Sequence, residues 1–442
     1  MKLYRTKLAI SSLSIYRNLL KDPVIKKFIE LVNCLCTKMD ATDNAAAFLN
    51  LYNDFFFSLA SSSTSFSNYI IDKIIYDDNP FSHRCSTGEE CGNLADAAKN
   101  DLKNLQLMAD ISPKEIKEKA QEYYYVEIDQ DLLSELPEWE PRSKSMAEFP
   151  GHQQEIKEKL YYSSSWSDCL PDLACFYREM GAGIFAQYYA FIWERNDTSG
   201  FFKGVASPDP VKLADLYSYE RERREVLENT LQFLKGYQAN NVLLYGDRGT
   251  GKSSTVKALV NEYHGKGLRI IEVPKGYLSD FPEIIRLLRG RSQKFIIFVD
   301  DLTFDDSTAN YTALKAVLEG GLESRPSNVV IYATSNRRHL VKERFSDRPD
   351  SLDTDEIHKN DSVQEKLSLA DRFGITVIFT APDQERYLEI ASALAEQRGL
   401  QVQQNILKKE ALKWANRHNG RSPRTARQFI DWLEGHLAIA KK

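Results

Sequence analysis

NVLLYGDRGTGKSS, residues 241–254, is the stretch on which the fold turns. A β-rich run, Val242 to Tyr245, leads straight into Gly246, and the chain then reads G-x-x-x-x-G-K-S through Ser253. After Lys252 the apolar residues Val256, Leu259, Val260 and Tyr263 share one face of a helix. Strand, glycine turn and helix in that order make a cradle for phosphate. Glycine backbone lets N–H groups point inward, and the helix N-terminus favours an anion. The reading assigns Gly246, Asp247, Arg248, Gly249, Thr250, Gly251, Lys252, Ser253 and Ser254 to that cradle. Lys252 reaches the β- and γ-phosphates and the Ser253 hydroxyl ligates Mg²⁺. A turn that merely joined strand to helix would need neither a lysine nor a hydroxyl at these positions.

Such a cradle needs a carboxylate for the metal from the end of a nearby strand, and FIIFVDDLTFDD, residues 295–306, supplies one at Asp300. Asp301 has two readings. It stands where a second acid polarises water for in-line attack on the γ-phosphate, which is the favoured reading, or it caps the following loop. Asp305 and Asp306 read as solvated turn residues.

Working outward, short apolar runs alternate with amphipathic helices beyond residue 205, the mark of parallel βαβ units. The expected strands are Val242–Tyr245, Leu268–Val273, Phe295–Asp300, Val329–Ala333 and Ile375–Phe379, with helices near 252–264, 280–290, 310–323 and 362–372. Five parallel strands with helical crossovers predict a three-layer αβα sandwich. Past Pro382 the strands stop, and helices near 383–398, 403–418 and 423–438, ended by Gly399 and Gly420, predict a helical lid.

Before residue 205 the chain is different. It is rich in aromatics and serines and reads as mostly helical, without repeats or a catalytic constellation. In DPVIKKFIELVNCL, Asp22 can cap, Pro23 suits the first turn, and Val24, Phe28, Leu31 and Leu35 share a face. GIFAQYYAFIWE, residues 183–194, is apolar all round and reads as a buried helix. The expected domains are therefore 1–204, mostly helical; 205–381, nucleotide-binding; and 382–442, the lid. SPDPVKLADLYSYERERREVLENT marks the boundary, leading into a charged helix from Tyr219 to Leu234.

Composition narrows the function classes. The 442 residues carry a net charge of −5, so no global basic field attracts nucleic acid or anionic membrane. The longest uncharged stretches, Phe55–Ile71 and Gly181–Trp193, are broken by polar residues or too short against the ~20 residues a bilayer needs. At the N-terminus the apolar run is broken by serines and ends at Arg17 without a small-residue cleavage site, so a signal peptide is not expected. Six cysteines include HRCSTGEEC, with His83, Cys85 and Cys91, whose spacing suits free buried thiols better than zinc. A reducing cytoplasm is the expected compartment.

With both motifs in hand, the chain from about Gly181 onward resembles the AAA+ ATPases, and most of all the bacterial family described as domain of unknown function 815. DPVKLADLYSYE, NTLQFLKGYQANNVLLYGDRGTGKSS, FVDDLTF, LEGGLESRPSNVVIYATSNRRHL, EKLSLADRFGITVIF and RTARQFIDWL carry the likeness. The resemblance implies ATP and Mg²⁺ as ligands. It matches Asn336 to the sensor that positions water near the γ-phosphate, and Arg372 to the arginine finger that reaches a neighbouring subunit. Ser362 and Glu365 read as a capping box for the helix before Arg372. Arg424, behind a cap at Ser422 and Pro423, matches the second sensor, with Arg421 and Arg427 as competitors. Tyr219 and Glu220 match the segment that runs past adenine. Most AAA+ ATPases have Asp-Glu at the end of the metal strand where this chain has Asp300-Asp301, so the water-activating acid is one methylene shorter. The charged stretch 344–361 reads as a long surface loop at a subunit or partner face, or as a solvated insertion.

The leading expectation is an ATPase that couples turnover to conformational change or to remodelling of a protein partner, assembling as a nucleotide-dependent homo-oligomer. The alternative is a nucleotide-gated binding module with negligible turnover. A nucleic-acid remodeller or loader is a further alternative, since Lys408, Lys409, Lys413, Arg417, Arg421, Arg424 and Arg427 make the lid locally basic.

Overall fold

In the computed structural model, residues 2–36, 44–62, 65–124, 130–140, 151–302, 318, 325–336, 372–418 and 420–440 are described. Apart from residues 318 and 372, the helices expected at 310–323 and 362–372 lie outside them, as do the capping pair Ser362 and Glu365, Asp305, Asp306 and the charged loop 344–361. The chain divides into two compact units, Met1–Gln187 and Tyr188–Lys442.

The first unit is helical. In Pro23–Cys36, Asp22 Oδ1 accepts the N–H of Val24 at 3.0 Å and of Ile25 at 3.2 Å, and Val24, Phe28, Leu31 and Leu35 are buried together. Its aromatic richness goes into packing. Phe28 meets Phe55 and Phe66 at ring-centroid distances of 5.2 and 4.5 Å, and Phe55 meets Trp139 edge-on at 5.0 Å. Edge and tilted contacts of this kind stabilise beyond their buried area.

The second unit is built on a sheet of seven strands, not the expected five, in the order β2-β1-β4-β5-β6-β3-β7. The strands are β1 (Ala190–Arg195), β2 (Gly200–Gly204), β3 (Val242–Gly246), β4 (Leu268–Glu272), β5 (Lys294–Val299), β6 (Val329–Asn336) and β7 (Ile375–Phe379). All neighbours are parallel except the β1–β2 hairpin.

The two additional strands fall in GIFAQYYAFIWE and the residues after it, where the sequence reading expected a buried helix inside the N-terminal half. Only Ile184–Gln187 is helical. An apolar run without clear period fits a buried strand as well as a buried helix, and pairing decides between them. Here Ala190, Phe191 and Ile192 pair with Ile270, Ile271 and Glu272 of β4. Trp193 is fully buried, and its indole N–H donates to Asp280 Oδ2 at 2.9 Å. Gly200 on β2 leaves room for that indole, since a Cβ there would stand 1.9 Å from it.

Strands β5 and β6 are buried along almost their whole length, as a sheet covered on both faces requires. A charged helix, Glu220–Leu234, covers one face, with Val226 and Phe233 in the core and Asn229 Nδ2 donating to the Tyr332 hydroxyl of β6 at 3.0 Å. The lid helices are Gln384–Gln397, Gln404–Arg417 and Pro423–Ala440. Tyr387, Ile390, Leu394, Leu407, Phe429 and Ile430 form their own small core. Gly399 and Gly420 end the first two at φ +64° and +76°. Among the described residues no helix is long and apolar enough to cross a membrane.

Candidate functional site

Strand β3 lies between β6 and β7, and β5 lies on the far side of β6. Their carboxyl ends therefore bring three loops together at the place where open α/β sheets bind ligands. Gly246 pairs in register with both Asn336 and Phe379. Its φ is +140°, and a Cβ would lie 2.0 Å from the Phe379 carbonyl oxygen, so only glycine fits between these strands. The turn then winds into the helix Lys252–Tyr263, capped by Gly251 in the left-handed region.

Lys252 is buried and curls back into the turn. Its Nζ donates to the carbonyls of Gly246 at 3.0 Å and Asp247 at 2.8 Å, and to Asn336 Oδ1 at 3.4 Å. Burial pushes its pKa down to about 8, against the opposing pull of Asp247, Asp300 and Asp301.

Asp300 stands just past β5. Its Oδ1 accepts from the Ser253 hydroxyl at 2.6 Å, from the Thr334 hydroxyl at 2.6 Å and from the Asp301 N–H at 3.1 Å. The Ser253 hydroxyl and the Asp300 carboxylate are thus in direct contact. Thr334 works in both directions, because its Oγ1 also accepts the Asp301 N–H at 2.8 Å.

Asp301 has φ +52°, one of three such non-glycine residues among those described. Aspartate visits this region more readily than most residues. Its Oδ2 pairs with Lys275 Nζ at 3.3 Å, and its Oδ1 accepts from Asn336 Nδ2. Asn336 therefore bridges Lys252 on one side and Asp301 on the other.

A cleft of about 680 Å³ opens over these groups. Residues 248–255 of the cradle and its helix, with Asp300, Asp301, Thr334 and Asn336, form its polar end, and Leu216, Phe379, Ile390 and Leu394 give it apolar walls. Arg424 and Arg427 line it from the last lid helix, while Arg421 is not part of the described lining. Arg424 also closes on the cradle by main chain, its N–H donating to the Gly249 carbonyl at 3.1 Å. The Ser422 hydroxyl caps that helix by accepting the Thr425 N–H at 3.1 Å. Gly249, at φ +76°, has Ser422 Oγ only 2.9 Å from where a Cβ would sit. Asp247 Oδ2 accepts the Ala381 N–H at 2.7 Å, tying the turn to the start of the lid.

Three residues singled out in the sequence, Arg372, Tyr219 and Glu220, do not line this cleft. Arg372 is half-buried just before β7 and is not among the residues lining this chain's cleft. Tyr219 is buried away from it: its hydroxyl donates to the Thr380 carbonyl at 2.7 Å and the Arg386 guanidinium lies 4.4 Å from its ring centroid. The segment before the cradle meets the cleft through Asp215, Leu216 and Tyr217 instead. The sequence reading also missed Thr334 and Lys275. A hydroxyl two before Asn336, on a strand that is apolar up to Ala333, was the signal for Thr334. Lys275 carried none, because its partner comes from another strand.

Comparison with known proteins adds a family. The family model described as a protein of unknown function, DUF815, matches residues 186–437. The large subunit of replication factor C from Staphylothermus marinus is 29% identical over 117 residues, 25% of this chain and 27% of that protein. The chain thus spans about a quarter of the length of this curated relative. Among solved structures, the Thermotoga maritima RuvB Holliday junction branch migration motor is similar at 17% identity and TM-score 0.37, over 52% of this chain and 67% of that one. A mutant of the same motor gives 17% identity and TM-score 0.38 over the same shares.

Proposed function

We propose that this chain, which belongs to the DUF815 family, is an AAA+ P-loop protein that binds ATP with Mg²⁺, hydrolyses it, and couples turnover to rearrangement of itself or of a bound protein partner. The observation that carries this is the contact of Ser253 and Thr334 with Asp300 at the mouth of the glycine turn, with Lys252 beside it.

A hydroxyl and a carboxylate are hard oxygen donors of the kind Mg²⁺ accepts. Ser253 and Asp300 would hold the ion, which when bound offsets charge on the β- and γ-phosphate oxygens. The remaining steps belong to the chain. The cradle N–H groups and Lys252 orient the triphosphate; Asn336 holds the attacking water; Asp301 takes its proton; Arg424 approaches the phosphates from the lid. The experiment is Mg²⁺-dependent phosphate release, expected in the wild type and lost in Lys252→Ala and Asp300→Ala. Release indifferent to both changes would remove the proposal.

A second reading, a nucleotide-gated module with negligible turnover, is favoured by one observation. Lys275 and Asn336 occupy both carboxylate oxygens of Asp301. Single-turnover comparison of wild type and Asp301→Asn separates the two. If both leave ATP intact over hours, the second reading stands.

The proposed homo-oligomer rests on Arg372, which lies outside its own cleft as a residue serving a neighbour's would. Size measurement with and without ATP and Mg²⁺ tests it, and a strict monomer would end that role for Arg372. The relative and the solved structures carry names from DNA metabolism, but the short matched share of the one and the low scores of the other lend nucleic acid no support here.

A further inference from the structure

HRCSTGEEC, residues 83–91, has no part in the nucleotide site. In the first unit it joins the helix Pro80–Thr87 to the helix Gly92–Ala109. Gly88 takes the left-handed conformation at φ +78° and ends the first helix, with the Glu89 N–H donating back to the Arg84 carbonyl at 3.1 Å. The reversal folds Cys91 over the last turn of the helix it has just left. The Cys85 and Cys91 sulfurs come to 3.0 Å. That is closer than two unbonded sulfurs rest in ordinary contact and about 1 Å beyond a disulfide bond of ~2.05 Å.

We infer that Cys85 and Cys91 are a peroxide-sensitive dithiol that closes to a reversible intramolecular disulfide.

The two thiols are unequal in a way that suits this chemistry. Cys85 is buried in the helical core. Cys91 is only partly buried, at the N-cap of an 18-residue helix. Burial and the Cys91 sulfur push the Cys85 thiol up to about 12, and Cys91 is the more accessible sulfur, the one that meets the oxidant. The Cys91 thiolate attacks one peroxide oxygen, an S–O bond forms, the O–O bond breaks, and the departing hydroxide takes a proton to leave as water. The Cys85 sulfur then attacks the Cys91 sulfur. The S–S bond forms, the S–O bond breaks, and the Cys85 proton leaves with the hydroxide as a second water. Two sulfurs are oxidised and one peroxide is reduced, and an exogenous thiol reverses the step by exchange.

Metal binding is the competing use of two close thiols. Zinc–sulfur bonds of ~2.3 Å in a tetrahedron hold sulfurs about 3.8 Å apart, wider than here. His83 is exposed, and no group of three or more metal-binding side chains occurs among the described residues.

The test uses the full chain. Trypsin cleaves after Arg84 and Lys99, which leaves both cysteines in one peptide. After brief treatment with hydrogen peroxide and then iodoacetamide, that peptide should carry no alkyl group and have lost two hydrogens, while the peptides bearing Cys34, Cys36, Cys169 and Cys175 remain alkylated. Dithiothreitol should restore alkylation. In Cys85→Ser, Cys91 should instead be trapped as a sulfenic acid by dimedone, and Cys91→Ser should leave Cys85 reduced and alkylated. Full alkylation of both thiols after peroxide would overturn the inference. So would cross-linking to another cysteine, or protection by zinc without loss of the two hydrogens.

Discussion

Both units bury polar groups, and they spend them differently. In the helical unit Asp101 is fully buried, and its carboxylate accepts the N–H groups of Ser14, Ile15 and Tyr16 at 2.7 to 3.1 Å. Asn79 and Ser82 likewise satisfy each other across a capping box. These acceptors are filled by backbone that must be paired wherever it is buried, so they hold a fold. At the sheet's carboxyl edge the pairs join one side chain to another, Ser253 to Asp300 and Asn336 to Lys252 and Asp301, and they face a cleft. Groups of that kind can exchange partners with a ligand. For these groups the kind of partner separates scaffold from site more sharply than burial does.

The largest expected break in that comparison comes at the cleft. Lys252→Ala and Asp300→Ala should each lower ATP turnover on the order of 10²-fold or more, with little change in the urea midpoint. A matching loss of stability would make these residues scaffold after all. The mirror experiment is Asp101→Ala, which strands several backbone donors and should cost about 3 kcal/mol by urea denaturation.

Next comes pH. In its proposed role Lys252 holds phosphate as a cation, and its folded pKa of about 8 lies below the ordinary lysine value of 10.5. Nucleotide affinity should therefore weaken above pH 8, approaching tenfold per unit, with Lys252→Arg flat over the same range. The stability of the unliganded protein should move the other way. A depressed lysine pKa means the unfolded chain binds more protons between about pH 8 and 10.5, so stability rises across that window. Lys252→Met should remove the rise in thermal midpoint.

The smallest effect is expected at Lys275. Its pair with Asp301 is substantially exposed, with 42% and 50% of the two side chains accessible, and such a pair contributes at most about 1 kcal/mol. Freeing the acid with Lys275→Met should raise single-turnover hydrolysis about two- to fivefold. A decrease would mean that the lysine serves the reaction instead of restraining it.

How far the site could be read from the sequence follows the same divide. Gly246, Lys252, Ser253 and Asp300 were legible because a local strand–turn–helix and a strand end fix their places with few long-range choices. Asn336 was legible as a polar strand end, and its bridging role was not. Thr334 and Lys275 act through partners on other strands, so no spacing along the chain announces them. Tyr219 was placed at the cleft by position in the sequence. The fold instead turns it toward Thr380 and presents Leu216 and Tyr217.

The strands β3 to β7 and the lid helices were set by the sequence alone, since period, glycine stops and caps act over a few residues. The tertiary structure decided what depends on a partner. GIFAQYYAFIWE became helix for four residues and then strand because β4 offered it unpaired backbone. Asp301 acquired its restraint because β4 and β6 end beside it, bringing Lys275 and Asn336 to one carboxylate. Local propensity is written in neighbours along the chain; these outcomes depend on neighbours across the sheet.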